Sequence, residues 1–572
     1  MKFFNYLTKN IYLLKSIFWL ITILIGILQA WSNRFNLSSA DAVSYLDIGD
    51  AYFRGDWNAA INAYWSPFYS WLLGLTISTF NITPYWEFLA VKLVNLCNLI
   101  FAIICFEFFL RQLILYHQKG NYHPFAKKTL EIPEWVWTVI GYTLFLWSSL
   151  VWIGVNLDAP DMATSALVYL AAGILLQLHI QPVRWSIFII LGIVLGFGYL
   201  SKSVMFPLAF VFFIVAMFTG ENIRRIFPKV LAAILAFMII ALPFVTAISL
   251  AKGRLTFGDT GKLNYVWYVS KNIDVDRFWQ GKELDSGIPK HPPQTISNNF
   301  LIYEFKTNLK NSSPFWYEPS YWFEGVELKF KLKQQIKVLL KNAHLYYQLF
   351  IFPLIICYVI LVFVSSHIKT ALKDLVRGWS LLAVAMGGLG FYMIGIDLSN
   401  SFIATRYIAP FIVVLFAGVF TNVYLLNSQQ SKKMLITLTI IALVSTSSNL
   451  GYHISKDLKT VLKGTEHTYW NIAQDLNRLG VKPGDKVAVL GHDDKNTYWA
   501  RLAGVQITTE VFNPEKFWQE KTATQSEVIQ AIKKTGVKVI VQQIGWTMPK
   551  SVMATGWQRI GNTDCYAYFF KK

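Results

Sequence analysis

Long apolar runs recur along the chain and limit what it can fold into. A transmembrane helix needs about 20 mostly apolar residues to cross the roughly 30 Å hydrocarbon core of a bilayer. Of the 572 residues, 54% are hydrophobic and 15% are charged, against about 25% charged in soluble domains. The runs predict eleven helical spans, near 12–31, 86–113, 134–156, 160–179, 185–201, 204–219, 229–250, 344–364, 379–396, 407–426 and 433–450. We therefore expect a polytopic α-helical membrane protein.

Basic residues indicate how these spans are oriented. The chain carries 52 Lys and Arg against 33 Asp and Glu, a net charge of +19 that would also suit nucleic acid. Much of the excess, however, lies in alternate short loops, at residues such as Lys15, Arg184, Arg224, Arg225 and Lys432. The positive-inside rule then puts the N-terminus in the cytoplasm and loop 32–85 outside, and no nucleic-acid partner is expected. No cleavage site follows the first run, so we expect an uncleaved first span, and the general character of the chain favours a bacterial inner membrane.

The first outer loop carries an acidic residue directly above the membrane. Asp41 lies in a segment, Ser38 to Leu46, that follows the first span by a few residues, and an apolar segment at 68–80 follows after Tyr64-Trp65-Ser66-Pro67. That segment is too short to span and predicts a helix lying in the interface. Asp41 has two interpretations: it caps a helix that starts at Ala42, or it acts chemically on a substrate anchored in lipid.

The tight outer turn Asn156-Leu157-Asp158-Ala159-Pro160-Asp161 brings two more carboxylates to the same side. Pro160 suits the first turn of the next helix, so Asp158 or Asp161 can serve as its N-cap. Two carboxylates level with Asp41 would equally suit an acid–base pair or a metal. Both interpretations stay open.

Two cations lie at outer ends of spans. Lys202, in Gly198-Tyr199-Leu200-Ser201-Lys202, either snorkels to the interface or holds a lipid phosphate as a point charge. Arg406, in Arg406-Tyr407-Ile408-Ala409-Pro410, either pairs with Asp397 or binds phosphate oxygens through its planar guanidinium.

A long outer loop, about 251–343, separates the seventh and eighth spans. Lysines 329, 331, 333, 337 and 341 alternate with apolar residues there, which predicts a basic amphipathic helix that either touches lipid headgroups or is simply solvated. Tyr265, Trp267 and Tyr268 suit stacking on a sugar, and equally suit plain packing.

The region after the last span changes to a soluble pattern. Helices are predicted at 466–479, 497–502 and 526–534, and strands at 486–490, 505–511, 537–541 and 566–569. We expect residues 451–572 to form a small extracytoplasmic α/β domain, separate from a transmembrane domain of residues 1–450 that includes the loops 32–85 and 251–343.

The membrane half resembles the glycosyltransferases of the GT-C fold, in the branch of protein O-mannosyltransferases and lipid A aminoarabinose transferases. The residues that carry the resemblance are Asp41, Tyr64-Trp65-Ser66-Pro67, Asp158, Gly198-Tyr199-Leu200-Ser201-Lys202 and Arg406-Tyr407-Ile408-Ala409-Pro410. Their order and shared side of the membrane are more specific than any one motif.

The resemblance implies transfer of a sugar from a polyprenyl-phosphate donor to a lipid, glycan or protein acceptor outside the cytoplasm. Asp41 would be the general base of an inverting displacement, and Asp158 would support the site or help hold a divalent cation, Mg²⁺ or Mn²⁺. Lys202 and Arg406 would bind the donor phosphate, and Asp161, Tyr265 and Trp267 would lie near the substrate. Relatives often have two adjacent acids in the first loop, whereas Ala42 follows Asp41 here, so metal dependence stays open.

Two other function classes fit the same sequence. A transporter or flippase of lipid-linked sugars would place its polar residues near the bilayer midplane and often shows repeated halves. A scaffold whose outer domain binds a partner needs no catalytic residues. The candidate charges cluster at one surface, which favours the enzyme.

Overall fold

A computed structural model of the chain describes residues 10–120, 130–180, 184–220, 222–271, 287–297, 300–307, 309–312, 318–363, 378–400, 405–421, 423, 425, 427–491, 495–542 and 556–570. Parts of the predicted loop 251–343 and a few positions at the ends of the predicted spans 344–364 and 407–426 lie outside these residues.

The helical part begins with α1 (Ile11–Ser32) and three helices in the first loop: α2 (Asp41–Arg54), α3 (Trp57–Ala60) and α4 (Pro67–Phe80). The next helices are α5 (Glu87–Gly120), α6 (Glu134–Leu146), α7 (Asp161–Ile180), α8 (Trp185–Ser201), α9 (Met205–Met217) and α10 (Ile223–Lys252). The long loop contains α11 (Thr260–Asn264) and α12 (Pro319–Trp322) and leads into α13 (Leu332–Tyr346). The helical part ends with α14 (Phe352–Phe363), α15 (Trp379–Gly395), α16 (Thr405–Phe420) and α17 (Gln429–Lys463).

The apolar runs form the helices that their length and composition predict. Among the described residues, seven helical stretches are long and apolar enough to cross a membrane: Ile11–Ser32, Pro84–Lys119, Glu134–Ile153, Asp161–Ile180, Ile223–Lys252, Leu332–Val362 and Gln429–Arg478. Shorter apolar helices are Trp185–Ser201, Met205–Met217, Trp379–Gly395 and Thr405–Phe420. The predicted fold class, a polytopic α-helical membrane protein with an α/β unit near the C-terminus, is confirmed.

Small residues let helices approach closely, as in other membrane bundles. A Cβ added at Gly192 of α8 would lie 2.0 Å from the carbonyl oxygen of Ala233 in α10. In the first loop, Gly49 of α2 faces Gly74 of α4, and a Cβ added at Gly49 would lie 2.7 Å from the carbonyl oxygen of Ser70. The helix α2 is therefore in backbone contact with the helix predicted to lie in the interface.

The basic segment forms a helix as predicted. Leu332, Ile336 and Leu340 of α13 are exposed, while Val338 and Asn342 are buried. A π-helical turn, Tyr347–Ile351, joins α13 to α14, so the basic helix continues directly into an apolar one. Its contact with lipid headgroups stays a prediction.

The α/β unit contains α18 (Thr468–Arg478), α19 (Lys495–Ala503), α20 (Pro514–Gln519) and α21 (Thr522–Lys533). Two short strands of the long loop, β1 (Ile288–Pro289) and β4 (Phe323–Glu324), pair with each other. The main sheet consists of β2 (Gln294–Ser297), β3 (Ile302–Glu304), β5 (Lys486–Leu490), β6 (Gln506–Val511), β7 (Val539–Gln542), β8 (Trp557–Arg559) and β9 (Tyr566–Phe569), in the order β2-β3-β6-β5-β7-β9-β8. Strand β5 is parallel to β6 and β7, and the other pairs are antiparallel.

This sheet joins segments that are far apart in the sequence. Strands β2 and β3 come from the long loop, and β3 pairs with β6 through Ile302 opposite Val511. The helix α17 also runs through residue 450 without a break. The α/β unit therefore includes residues from both sides of the boundary predicted at 450.

The α/β unit shares a hydrophobic core with the first loop. One cluster of buried residues joins Ala42, Val43 and Leu46 of α2 and Tyr69 of α4 to Ile472, Val487 and Trp499 of the α/β unit. Since α2 begins at Asp41, the packing of the α/β unit helps to fix the position of that residue.

Candidate active site

Asp41 is the first residue of α2 and is half-buried. Desolvation raises the pKa of its carboxyl group, and the charge of Asp161 raises it further, while Arg406 and Lys202 lower it. Charges from three other segments of the chain thus act on Asp41. The sequence placed Asp41, Asp158, Asp161, Lys202 and Arg406 on one side of the membrane; of these, Asp161, Lys202 and Arg406 act on Asp41 in the structure, whereas Asp158 pairs with Lys92.

Asp161, the first residue of α7, lies between the two cations. Its Oδ1 atom is 2.5 Å from Nζ of Lys202, which caps the C-terminal end of α8. Its Oδ2 atom is 3.7 Å from Nε of Arg406 in the first turn of α16. Asp161 is only 3% exposed, so each of its oxygens faces a cation in a nearly dry environment.

Two tyrosines complete this side of the site. The Nζ atom of Lys202 lies 3.9 Å from the centroid of the Tyr407 ring, a cation–π geometry, and Arg406 donates to the Tyr407 hydroxyl at 2.9 Å. Tyr407 in turn stacks on Tyr392 of α15. Sequence reasoning placed Tyr407 in a motif without giving it a role, although an aromatic residue next to a membrane arginine is a usable signal.

Asp158 lies in a different environment from the one predicted. It is fully buried, and Nζ of Lys92 in α5 lies 2.6 and 2.7 Å from its two oxygens. Asn95 also donates to Oδ1 at 3.1 Å, and the backbone amide of Ser38 donates to Oδ2 at 2.8 Å. Asp158 therefore joins α5 to the start of the first loop, three residues before Asp41.

Sequence reasoning missed Lys92, although a lone lysine within an apolar run signals a buried partner. Asp397 was an alternative partner for Arg406. In the structure Asp397 pairs with Lys341 of α13 at 3.3 Å, and Arg406 pairs with Asp161.

The loop after α10 lies against the first loop. The amide of Asp259 donates to the carbonyl of Ala63 at 2.7 Å, and the hydroxyl of Thr260 donates to the carbonyl of Tyr64. The Trp267 ring lies 6.0 Å from that of Tyr64, whose own hydroxyl has a pKa raised by burial and by the charge of Asp41. Trp267 therefore lies next to Tyr64, a residue on which the charge of Asp41 acts.

Tyr265 points elsewhere. Its hydroxyl donates to Oε1 of Gln335 in α13 at 2.7 Å, so it joins the long loop to the basic helix. Of the two loop aromatics predicted near a substrate, Trp267 is therefore the one that contacts the surroundings of Asp41.

The donor set around Asp41 does not fit a resident divalent cation. Mg²⁺ and Mn²⁺ prefer several oxygen ligands, and both oxygens of Asp161 already face Lys202 and Arg406. Within the described ranges, no group of three or more His, Cys, Asp or Glu side chains is gathered in a way that could hold a metal.

Comparisons with known proteins find loose similarities to solved structures. ArnT from Cupriavidus metallidurans bound to undecaprenyl phosphate aligns at 9% identity over 96% of this chain and 98% of that chain, with a TM-score of 0.49. The Archaeoglobus fulgidus oligosaccharyltransferase tethered to an acceptor peptide aligns at 12% identity over 94% of this chain and 69% of that chain, with a TM-score of 0.47. The same oligosaccharyltransferase in complex with Zn and sulfate aligns at 14% identity over 91% and 67%, also at 0.47.

No family model and no curated protein matches the chain. Similarities at these identities and TM-scores establish neither a family nor an activity.

Proposed function

We propose that the chain is an integral-membrane glycosyltransferase that moves a sugar from a polyprenyl-phosphate donor to an extracytoplasmic lipid, glycan or protein acceptor. The observation that carries the proposal is the convergence of a half-buried carboxylate, Asp41, with the ion-paired group Asp161, Lys202 and Arg406 at the ends of apolar helices. An acid beside two cations suits a reaction in which a hydroxyl loses a proton while a phosphate leaves.

The donor phosphate binds at Lys202 and Arg406. Arginine offers a planar fork that matches phosphate oxygens, and lysine adds a point charge. Asp161 holds both cations in place before the donor arrives, since it contacts each of them. The apolar helix α4, with Leu75 and Phe80 exposed, lies beside α2 and gives the polyprenyl chain a lipid-facing surface.

Asp41 is the general base. Asp161 is a poor candidate because it is 3% exposed and its oxygens face cations, whereas Asp41 keeps an exposed edge. Burial raises the pKa of Asp41, which strengthens it as a proton acceptor.

The transfer is a single inverting displacement, in which one bond to the anomeric carbon forms as another breaks. The acceptor oxygen forms a bond to the anomeric carbon as its proton passes to Asp41. The bond between that carbon and the phosphate oxygen breaks, and its electron pair stays on the phosphate. Lys202 and Arg406 stabilise the charge that develops there, which is where fixed cations help most. A positioned base contributes about 10²–10⁴-fold to such a rate.

Asp158 acts here as a positioning residue. It is fully buried against Lys92 and holds the amide of Ser38, so it fixes the segment that leads to Asp41. Trp267 and Tyr64 offer aromatic faces on which a sugar ring can stack. We place this surface outside a bacterial inner membrane, with the α/β unit on the same side.

The test is sugar transfer by the purified protein in lipid nanodiscs with a panel of radiolabelled polyprenyl-phosphate sugars. Wild type should form a labelled product with at least one donor, and Asp41→Asn should not. The matched control is Asp56→Asn in the same loop, because Asp56 caps α3 and asparagine is an equally good cap.

If Asp41→Asn formed labelled product at the wild-type rate, the assignment of Asp41 as the general base would be refuted. Wild type that carries a lipid-linked sugar across vesicles without forming a glycosidic bond would support the transporter or flippase instead.

A further inference from the structure

A largely buried arginine of the α/β unit contacts three carboxylates, two in the first loop and one at the start of α5. Arg501 lies in α19 and is 10% exposed. Its Nη1 atom is 2.8 Å from Oδ1 of Asp47 and 2.6 Å from Oδ2 of Asp50, both in α2. Its Nε and Nη2 atoms donate to the two oxygens of Glu87, the first residue of α5, at 2.8 and 3.2 Å.

The long loop completes the cluster. The amide of Ser312 donates to Oδ2 of Asp47 at 2.9 Å, and its hydroxyl donates to Oδ1 at 3.2 Å. Ser312 is itself held by β6, because the amide of Ile507 donates to its carbonyl at 3.0 Å. Both the α/β unit, through Arg501, and the long loop, through Ser312, therefore bind α2 at Asp47.

Asp47 lies six residues after Asp41 on the same helix, less than two turns away. The two residues are joined by rigid helical backbone, so a shift of α2 at Asp47 would move Asp41 relative to Lys202 and Arg406. The contact between Gly49 and Gly74 holds the opposite side of α2 against α4. The position of Asp41 thus depends on contacts made further along its helix.

Charge explains why an arginine is needed here. Three carboxylates surround one guanidinium, and unpaired buried charges are costly. A guanidinium offers five donors in a fixed fork and can serve carboxylates on two segments at once, which an ammonium group on a flexible stem does poorly. Loss of the fork would leave Asp47 and Glu87 without the cation they share, while Asp50 would keep only the half-exposed Arg54 at 3.8 Å.

We propose that Arg501 is a positioning residue for the transfer reaction: it docks the α/β unit onto α2 and thereby fixes Asp41 opposite Lys202 and Arg406. This inference rests on the proposed function and gives the α/β unit a role in catalysis. A misplacement of about 1 Å at a reacting group costs on the order of 10²-fold in rate.

The experiment compares Arg501→Gln with Arg478→Gln in the full chain in nanodiscs. Arg478 is a matched control because it lies on the same unit, is 74% exposed and, within the described residues, forms an ion pair with Asp475 three positions before it. Two readouts are taken: hydrogen exchange of peptides that cover α2, and kcat and KM for the donor in the transfer assay.

We expect Arg501→Gln to raise exchange in α2 and to lower kcat by about 10- to 100-fold, with the donor KM within about twofold of wild type. The KM for the donor should stay near the wild-type value because Lys202 and Arg406, which bind the donor phosphate, do not lie on α2. Arg478→Gln should match wild type in both readouts. Wild-type kcat together with wild-type exchange in Arg501→Gln would overturn the proposal, as would a loss confined to KM.

A second variant covers the case in which Arg501→Gln does not fold. Arg501→Lys keeps the charge but loses the fork, and we expect it to melt near wild type while its kcat falls. Full kcat in Arg501→Lys would show that charge neutralisation alone is required and would overturn the positioning role. If wild type transfers no sugar, the proposed function fails, and the exchange of α2 in the variants still decides whether Arg501 holds that helix.

Discussion

Lys92 and Asp158 form a fully buried ion pair, in which Nζ of Lys92 lies 2.6 Å from Oδ1 of Asp158. Lys92→Met would leave a carboxylate buried without its cation, and breaking such a pair costs about 3–5 kcal/mol. We expect a clearly lower melting temperature in detergent, measured by intrinsic fluorescence. Lys538→Met, at a lysine that is 58% exposed, is the control and should melt like wild type.

The double variant Lys92→Met/Asp158→Asn tests the cause of that loss. It removes the unpaired charge, so it should recover part of the stability lost in Lys92→Met. If the double variant is less stable than wild type by the sum of the two single-variant losses, the two residues act independently and the ion pair is not what stabilises the turn.

A second prediction concerns the contact between α2 and α4. Gly49→Ala would place a Cβ 2.7 Å from the carbonyl oxygen of Ser70, and a backbone atom cannot move aside as a side chain does. Overpacking of this kind costs about 1–3 kcal/mol. We expect α2 to shift and the transfer rate to fall by more than tenfold.

The control for Gly49→Ala is Gly451→Ala in α17, where an added Cβ meets nothing within 4 Å. It should leave the rate unchanged. A wild-type rate in Gly49→Ala would show that α2 tolerates displacement and would weaken the link between its packing and Asp41.

Sequence patterns predicted the helices and strands that are determined by residues close together in the chain. The strand predicted at 486–490 is β5, with the same bounds, and the apolar run 185–201 is α8. Both follow from the local alternation or length of apolar residues, which determines which backbone conformation buries them. The sequence also placed Asp41, Asp158, Lys202 and Arg406 on one side of the membrane, but it could not separate Asp158, which pairs with Lys92, from the residues whose charges act on Asp41.

Contacts between distant segments were not predicted. Strand β3 pairs with β6 across about two hundred residues, and Arg501 meets Glu87 across 414. No local periodicity in the sequence indicates that β3 pairs with β6. Arg501 was not predicted to be buried because a charged residue in a soluble helix ordinarily faces water. Lys92 was missed for a related reason: its apolar neighbours predict a span, and only the folded turn at Asp158 shows its partner.

Asp47 gives a prediction about stability and pH. Burial raises the pKa of its carboxyl group from 3.8 to about 6, although Arg501 and the amide of Ser312 oppose this and Asp50 adds to it. Between these values the folded state holds a proton that the unfolded state has lost. The contribution of Asp47 to stability is therefore largest at low pH and is lost as the pH rises to about 6.

The comparison with Asp47→Asn isolates this effect, since asparagine does not titrate. The stability of wild type relative to Asp47→Asn should fall as the pH rises from about 4 through about 6 and level off beyond that, measured by thermal unfolding in detergent. Curves that stay parallel over this range would show that Asp47 keeps an ordinary pKa in the folded state.

The transfer rate should depend on pH through Asp41. A general base works only when it is deprotonated, and burial raises the pKa of Asp41 above 3.8. The rate should therefore fall as the pH drops through a value higher than that of an ordinary aspartate. Arg406 is the strongest of the charges that lower this pKa. In Arg406→Gln, Asp41 should therefore become protonated, and the residual activity should fall, at a higher pH than in wild type.

The check is kcat/KM against pH for both proteins, with Asp56→Asn as the control that follows wild type. An acid limb below pH 4 in wild type, or one that stays in place when Arg406 is replaced, would mean that another group takes the proton.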